Sequence, residues 1–312
     1  MPWLAREAHR IDRHRGIGLR KMSHARAVAL MVLVTLLWSI AGVVTRHLDA
    51  ARSFEVTFWR SLFNALALIV ALGLLRGAGA WRGILNGNRA IWISGLCWGV
   101  MYTAFMIALT LTSVANVLVT MAVGPLLTAL FARIFLAHRL PARTWGAIGL
   151  ALVGIGWMFG EEAARGVSLA GSLVALAVPV AASVNWTLLQ QRADMAQEDE
   201  KAQDMLPAVL LGALLSAAVT LPLAWPLQAS THDIGLLALL GAVQLALPCL
   251  LAVRLTRELP AAEIALLALL EVIFGVLLAW LGAGEVPAGS TLAGGALVLG
   301  ALVANEALGS RR

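Results

Sequence analysis

The chain has 312 residues, of which 60% are hydrophobic and only 13% carry charge. A soluble globular domain has about 25% charged residues, so this composition excludes that class and predicts an integral membrane protein. The net charge of +6 would suit a nucleic-acid binder. However, the basic residues fall almost entirely in loops between apolar segments, and we therefore predict no nucleic-acid partner.

Motifs for metal binding and catalysis are missing from the sequence. The two cysteines, Cys97 and Cys249, both lie inside apolar segments. They form no CxxC pair and no spacing of metal ligands, so we predict neither a disulfide framework nor a metal site. The sequence contains no HExxH, GxSxG or nucleotide-binding motif. We therefore predict no catalytic residue, no cofactor and no enzymatic activity.

Ten apolar segments lie between a basic cytoplasmic segment, residues 1–26, and a short cytoplasmic tail, residues 309–312. A helix needs roughly 20 apolar residues to cross the bilayer. The predicted spans, numbered 1 to 10, are 27–45, 54–75, 91–111, 115–136, 144–160, 169–190, 206–225, 234–253, 260–281 and 290–308. A polar loop is predicted at 191–205. The fold class is thus all-α integral membrane, with ten transmembrane helices in the lipid bilayer.

The distribution of Lys and Arg orients these spans. With a cytoplasmic N-terminus, the inner segments hold 19 of these residues and the outer segments hold 3. Cytoplasmic loops of membrane proteins carry the excess of Lys and Arg. We therefore predict a multi-pass protein of a bacterial-type inner membrane, with both termini in the cytoplasm.

The two halves of the chain share one plan. A shift of 146 residues superposes identical residues in the two halves: Pro141 on Pro287, Gly149 on Gly295 and Gly154 on Gly300. Each half has five spans, an odd number, so the second half enters the membrane in the opposite orientation. We predict two inverted-topology five-helix repeats, residues 27–160 and 161–308. Such repeats are typical of secondary transporters.

The repeated pattern resembles the drug/metabolite transporter superfamily, in its ten-span EamA-type branch. The residues that carry the resemblance are Ala115, Pro125, Leu140-Pro141, Gly149, Gly154, Glu285-Val286-Pro287, Gly295, Gly300 and Trp38-Ser39. Within that branch, the chain is most similar to YddG-type aromatic amino-acid exporters. Three positions depart from the family pattern: Arg139 replaces the usual Glu, Glu271 stands at the register of Pro125, and Ser39 replaces Gly. The resemblance covers residues 27–308 and implies an inner-membrane exporter of small metabolites.

Polar residues inside the spans are candidates for substrate contact. Polar side chains at membrane depth face the bundle interior or a water-filled cavity. Four spans supply such candidates: Trp38 and Ser39 in span 1, Asn116 and Thr120 in span 4, Ser183, Asn185, Trp186 and Gln190 in span 6, and Gln244 in span 8. Helix–helix hydrogen bonding is the alternative role for each of them.

Span 3 carries an aromatic stripe. Trp98, Tyr102 and Phe105 recur at i, i+4 and i+7, and Met101 lies beside them. Aromatic residues near span ends usually form belts at the membrane interface, but Trp98 and Tyr102 lie in mid-span. Methionine adapts to ligands of varied shape. We predict that these four residues line a substrate cavity.

Glu271 is the one carboxylate deep in a predicted span. A charge at that depth costs several kcal/mol unless it is neutralised or paired, so we predict that Glu271 couples transport to protons. The alternatives are a protonated structural carboxyl group or a pair with Arg60. Arg60 itself lies close enough to a span end for its long side chain to snorkel to the interface.

These observations predict a secondary transporter that exports small metabolites by alternating access. Amino acids, aromatic ones included, are the leading substrate class, because amides and hydroxyls can pair with both charged groups of a zwitterion. A proton-coupled exporter of cationic drug-like compounds is the alternative, and it would use Glu271. A membrane enzyme or receptor is the third possibility.

Overall fold

The structure, a computed structural model, describes residues 22–45, 47–51, 53–77, 89–112, 114–137, 140–165, 168–198, 204–284 and 289–309. Within these ranges the secondary structure is entirely helical. Seven helices are long and apolar enough to cross a membrane: His24–Thr45, Phe54–Leu75, Arg89–Ala108, Leu169–Met195, Leu206–Ala224, Thr231–Leu255 and Ala261–Gly282. Two shorter helical stretches, Gly124–Phe135 and Gly289–Asn305, are also apolar.

The helices are numbered in chain order. They are α1 His24–Thr45, α2 Ser53–Arg76, α3 Arg89–Leu111, α4 Val114–Met121, α5 Gly124–Phe135, α6 Ala142–Arg165, α7 Leu169–Glu198, α8 Leu206–Ala224, α9 Thr231–Leu239, α10 Leu247–Leu255, α11 Ala261–Ala268, α12 Leu270–Ala283 and α13 Gly289–Gly309. A π-helical segment, Leu240–Ala246, joins α9 to α10.

One predicted loop is partly helical. Residues 191–198 continue α7, so the expected loop at 191–205 is wrong over its first half. The segment from Gln191 to Glu198 has no Gly or Pro and is rich in residues with good helix propensity. Nothing in it therefore ends the helix where the apolar run stops.

The polarity of the bundle is the reverse of that of a soluble protein. Large apolar side chains cover the outside, as at Leu74, which is 84% exposed. Small polar side chains are buried inside, among them Ser61, Ser94, Thr128 and Ser216. Lipid cannot satisfy polar groups, so the polar side chains of the helices face one another inside the bundle. It is the arrangement expected of a membrane protein.

The helices pack closely through the interior. Helix α3 lies against α7 and α8, while α2 lies against α8 and the π-helical segment. Glycines permit two of these contacts: a Cβ at Gly95 would lie 2.6 Å from Leu211 of α8, and one at Gly241 would lie 2.5 Å from Phe63 of α2. Helices α6 and α13 pack mainly against each other, at one side of the bundle.

Hydrogen bonds identify the two ends of the bundle. We call the end where α1 begins the proximal end; there the His24 ring pairs with the Glu263 carboxylate at 2.7 Å. At the opposite, distal end, two carboxylates hold loops. Asp233 accepts the N–H of Asp49 at 2.7 Å, and Glu55 accepts the N–H of Gln228 at 2.8 Å.

The two halves of the bundle differ in packing. In the proximal half, α11 packs against α1, α5 and α7. In the distal half, α12 packs extensively against α1 alone among the described elements. The bundle is thus closed around α11 and looser around α12.

Candidate functional site

Helical geometry is interrupted at three places in the middle of the bundle. Span 4 is broken at 122–123 between α4 and α5, where Pro125 lacks the N–H that would continue the helix. Span 9 is broken at Leu269, between α11 and α12. The π-helical segment interrupts span 8. Irregular backbone at membrane depth is tolerated only inside protein or beside a cavity, and π-helical turns are frequent at functional sites.

Arg60 of α2 lies inside the bundle rather than at the interface. It is 2% exposed, and its Nη2 donates to the Tyr102 carbonyl at 3.4 Å. Its Nε has no hydrogen-bond partner. The snorkelling interpretation of Arg60 is therefore wrong. A buried guanidinium needs acceptors, and the Nε lacks one.

The aromatic stripe of α3 forms a buried cluster with α7. Trp98 stacks on Tyr102 with ring centroids 5.7 Å apart, and it meets Trp186 edge-on at 5.5 Å. All three rings are at least 95% buried, so they do not form an interface belt. The Trp98 Nε1 has no hydrogen-bond partner. The cluster therefore offers both an apolar wall and an unused donor.

Gln244 of the π-helical segment adds an acceptor. Its Nε2 donates to the Trp38 carbonyl of α1 at 3.0 Å, while its Oε1 has no partner. Tyr102 and Cys249 connect α10, which follows this segment, to the aromatic cluster, since the Tyr102 hydroxyl donates to the Cys249 sulfur at 3.3 Å. We call Arg60, Trp98 and Gln244, which together hold two unused donors and one unused acceptor, the open group.

A second set of polar residues is hydrogen-bonded within the protein. Thr128 of α5 donates to the Ser183 hydroxyl of α7 at 3.0 Å, and Ser183 donates to the Pro179 carbonyl at 2.6 Å. The Gln190 Oε1 accepts the N–H of Ala261, at the start of α11, at 2.8 Å. We call Thr128, Ser183 and Gln190 the closed group. Two of its three bonds join neighbouring helices, as the helix–helix alternative predicts.

The other predicted site residues fall between these groups. Asn185 accepts a 2.6 Å hydrogen bond from Ser94 and leaves its amide nitrogen without a partner. Ser39 donates to the carbonyl of Leu36 in its own helix at 2.7 Å. The remaining side chains with described positions are half-buried: Trp38, Met101, Phe105 and Thr120. The side chain of Asn116 lies outside the described residues.

Glu271 lies at the start of α12, two residues after the break at Leu269. Glu271 is half-buried, and its carboxyl group interacts electrostatically with the Arg60 guanidinium. The break therefore precedes a carboxyl group that lies within the electrostatic field of the open group. Proton coupling, a structural carboxyl group and pairing with Arg60 all stay predictions for Glu271.

Sequence reasoning missed the polar face of α2. Thr57, Arg60, Ser61 and Asn64 recur at i, i+3, i+4 and i+7, and all four are buried. The helical periodicity that identifies the aromatic stripe of span 3 identifies this face too. The short distance of Arg60 from the end of span 2 instead predicts an interfacial position for its side chain.

A cluster of possible metal ligands at the distal end has another role. Asp49, His232 and Asp233 bring their ligand atoms within 4.8 Å of one another. However, the Asp233 carboxylate already accepts four backbone N–H groups, from Asp49, Ala50, Ala51 and Ser230. The cluster therefore holds the loop before α2 against the start of α9, and we do not assign a metal to it.

Comparison with known proteins relates this architecture to membrane transport. The family model described as the EamA-like transporter family matches the chain twice, at residues 25–160 and 169–305. An uncharacterized transporter of Vibrio cholerae serotype O1 (strain ATCC 39315 / El Tor Inaba N16961) is 25% identical over 156 residues, which is 47% of this chain. That alignment spans about half, 51%, of the relative's length.

A solved crystal structure is also similar to this chain. The similarity covers 93% of this chain and 99% of the solved chain, with a TM-score of 0.71 and 22% sequence identity. At that level of identity the similarity shows a common fold and nothing more specific.

Proposed function

The chain belongs to the EamA-like transporter family, and we propose that it exports amino acids, aromatic ones included, across a bacterial inner membrane. The open group is the observation that carries the substrate proposal. Its two donors, Arg60 Nε and Trp98 Nε1, suit a carboxylate, and its acceptor, Gln244 Oε1, suits an ammonium group. A zwitterionic amino acid supplies both partners in one small molecule.

The aromatic cluster beside the open group supports substrates with large side chains. Offset or edge-on ring contacts contribute about 0.5–1.5 kcal/mol beyond the burial of apolar area. A phenylalanine or tryptophan side chain against Trp98 and Tyr102 would gain such a contact. This preference agrees with the resemblance to YddG-type exporters.

We further propose ten spans in two inverted repeats. Helices α4–α5, α6 and α13 supply the three spans beyond the seven long apolar helices. The family model matches each half of the chain, and the 146-residue shift superposes the break at Val123 on the break at Leu269. The same shift places Gly95 on Gly241. Gly95 makes a close contact with α8, and Gly241 makes a close contact with α2. These correspondences support one unit used twice.

Alternating access follows from that symmetry. Inverted repeats let a transporter exchange the conformations of its two halves around a midplane site. The tight packing around α11 and the looser packing around α12 support a state that is open at the distal end. With both termini cytoplasmic, the proximal end faces the cytoplasm, and a C-terminal reporter that is active only in the periplasm would contradict this orientation.

Proton-coupled export of cationic compounds is the second candidate. Glu271 favours it, because a carboxyl group in the interior can pair with a cation when it is deprotonated. The Arg60 guanidinium, which interacts electrostatically with Glu271, argues against it, because a fixed positive charge repels the same substrate. A positive group and a negative group in one interior favour a zwitterion.

Liposome counterflow tests the proposal. Protein reconstituted into liposomes loaded with unlabelled phenylalanine should accumulate labelled phenylalanine and tryptophan, and protein-free liposomes serve as the control. Absence of counterflow for every amino acid in a full panel, with uptake of a labelled organic cation, would overturn the amino-acid assignment.

A further inference from the structure

A cavity at the proximal end of the bundle lies apart from the open group. It has a volume of about 230 Å³ and is lined by α7, α8, α10 and the end of α2. A water molecule takes up about 30 Å³ of liquid, so the cavity has room for a polyatomic anion. No residue of the open group lines it.

The charged residues that line the cavity are mainly basic. Arg192 comes from α7, Arg254 from the last turn of α10, and Arg257 from the turn that follows. Asp204 is the one acid among the lining residues, and its carboxylate accepts the N–H of Leu206 at the start of α8. Three guanidinium groups against one carboxylate give the cavity a net positive charge.

Arg192, which lines the cavity, has one donor without a partner. Its Nε is buried and has no hydrogen-bond partner. Guanidinium groups match the oxygens of a phosphate in geometry and form charge-assisted hydrogen bonds with them. The donors at the cavity therefore suit a phosphate group better than a neutral ligand.

The apolar lining places the cavity next to the bilayer. Leu75 and Leu247 line it and are also exposed on the outside of the bundle, at 63% and 48%. In a membrane, exposed leucines contact acyl chains, so the cavity combines an apolar approach with a basic lining. This combination is expected where helices hold the headgroup of an anionic lipid.

We propose that this cavity binds the phosphate of an anionic phospholipid from the cytoplasmic leaflet. Arg192, Arg254 and Arg257 contact the phosphate oxygens, and the leucines contact the start of the acyl chains. The bound headgroup would bridge α7 and α10, which belong to the second half of the chain.

Native mass spectrometry of the full chain in detergent tests the proposal. Phosphatidylglycerol and phosphatidylcholine with identical acyl chains are titrated onto the wild type and onto the double variant Arg254→Gln/Arg257→Gln. Each basic residue raises the affinity for an anionic lipid surface a few-fold, so the double variant should bind phosphatidylglycerol about 30-fold more weakly. Binding of phosphatidylcholine should not change.

Arg133→Gln is the matched control. Arg133 is an exposed arginine in the last turn of α5 and does not line the cavity, so its variant should bind phosphatidylglycerol like the wild type. An equal loss of phosphatidylglycerol binding in that variant would attribute the effect to general surface charge and would overturn the proposed site. Displacement of the lipid by millimolar inorganic phosphate would overturn the lipid assignment in favour of a free phosphate ligand. Equal binding of phosphatidylglycerol and phosphatidylcholine by the wild type would overturn both the site and the lipid assignment.

Discussion

The open group and the closed group both consist of buried residues with polar atoms in the same bundle, yet their hydrogen bonds differ. In the closed group, Thr128 and Ser183 pair with each other and with backbone. In the open group, Arg60, Trp98 and Gln244 each keep one polar atom without a partner. Buried polar atoms in proteins are nearly always hydrogen-bonded, so the open group is an exception, one that it shares with the Asn185 amide nitrogen and Arg192 Nε.

The difference indicates two roles for buried polar side chains in a membrane protein. A satisfied pair between helices holds the helices together. A buried donor or acceptor without a partner costs about 1–3 kcal/mol, a cost that a bound ligand can remove. We infer that the closed group stabilises the bundle and the open group binds substrate.

Removal of the Arg60 guanidinium should have the largest effect. Hydrogen bonds to charged groups contribute about 1.5–3 kcal/mol, so Arg60→Gln should lower phenylalanine counterflow by about 10- to 100-fold. Arg60→Lys keeps the charge but loses the planar fork and should retain part of the flux. Size-exclusion profiles of both variants control for folding. Near-normal flux in a folded Arg60→Gln protein would remove Arg60 from the site.

Truncation of the aromatic wall should have a smaller and selective effect. Trp98→Ala should lower the ratio of tryptophan flux to alanine flux by about 3- to 10-fold, because only the large substrate loses a ring contact. The ratio is independent of how much protein is reconstituted. Trp98→Phe keeps a ring without Nε1 and should preserve most of the ratio. Equal losses for both substrates would give Trp98 a packing role.

Glu271→Gln should change coupling more than binding. A glutamine side chain cannot take up or release a proton, so any dependence of flux on a pH gradient should vanish. Exchange without a gradient should change by less than about threefold, because the amide keeps the size and hydrogen-bonding capacity of the carboxyl group. Flux that still follows the gradient in this variant would leave Glu271 with a structural role.

Ser183→Ala should have the smallest effect on transport. The variant loses one hydrogen bond between α5 and α7, which contributes about 0.5–1.5 kcal/mol to stability, so its melting temperature should fall by a few degrees. Phenylalanine counterflow should stay within about twofold of the wild type. A loss of flux comparable to that of Arg60→Gln would erase the distinction between the two groups.

Much of the fold could be predicted from the sequence because membrane spans are read from composition alone. The predicted bounds of span 3, 91–111, nearly coincide with helix α3. The break in span 4 has a local cause at Pro125, whereas the break at Leu269 has none, since the segment from Ala265 to Ile273 contains no Gly or Pro. That break therefore could not be predicted from Gly or Pro in the local sequence.

The site was harder to predict than the fold. Periodicity identifies Trp98, Ser183 and Gln190, and polarity inside a span identifies Gln244, because polar and aromatic side chains of both groups face inward. Only the tertiary partners decide which polar atoms remain unused. Arg60 could have been recovered from the polar periodicity of α2, but its neighbour Glu271 comes from the other half of the chain, 211 positions away.

Equilibrium binding of labelled phenylalanine to purified protein tests the central claim most directly, because it separates the site from coupling and conformational exchange. Wild type, Arg60→Gln and Ser183→Ala are compared at equal concentrations of folded protein. We expect saturable binding to the wild type, a dissociation constant at least about tenfold higher for Arg60→Gln, and a change of less than about twofold for Ser183→Ala. Wild-type affinity in Arg60→Gln, or an equal loss in Ser183→Ala, would contradict the assignment of substrate binding to the open group.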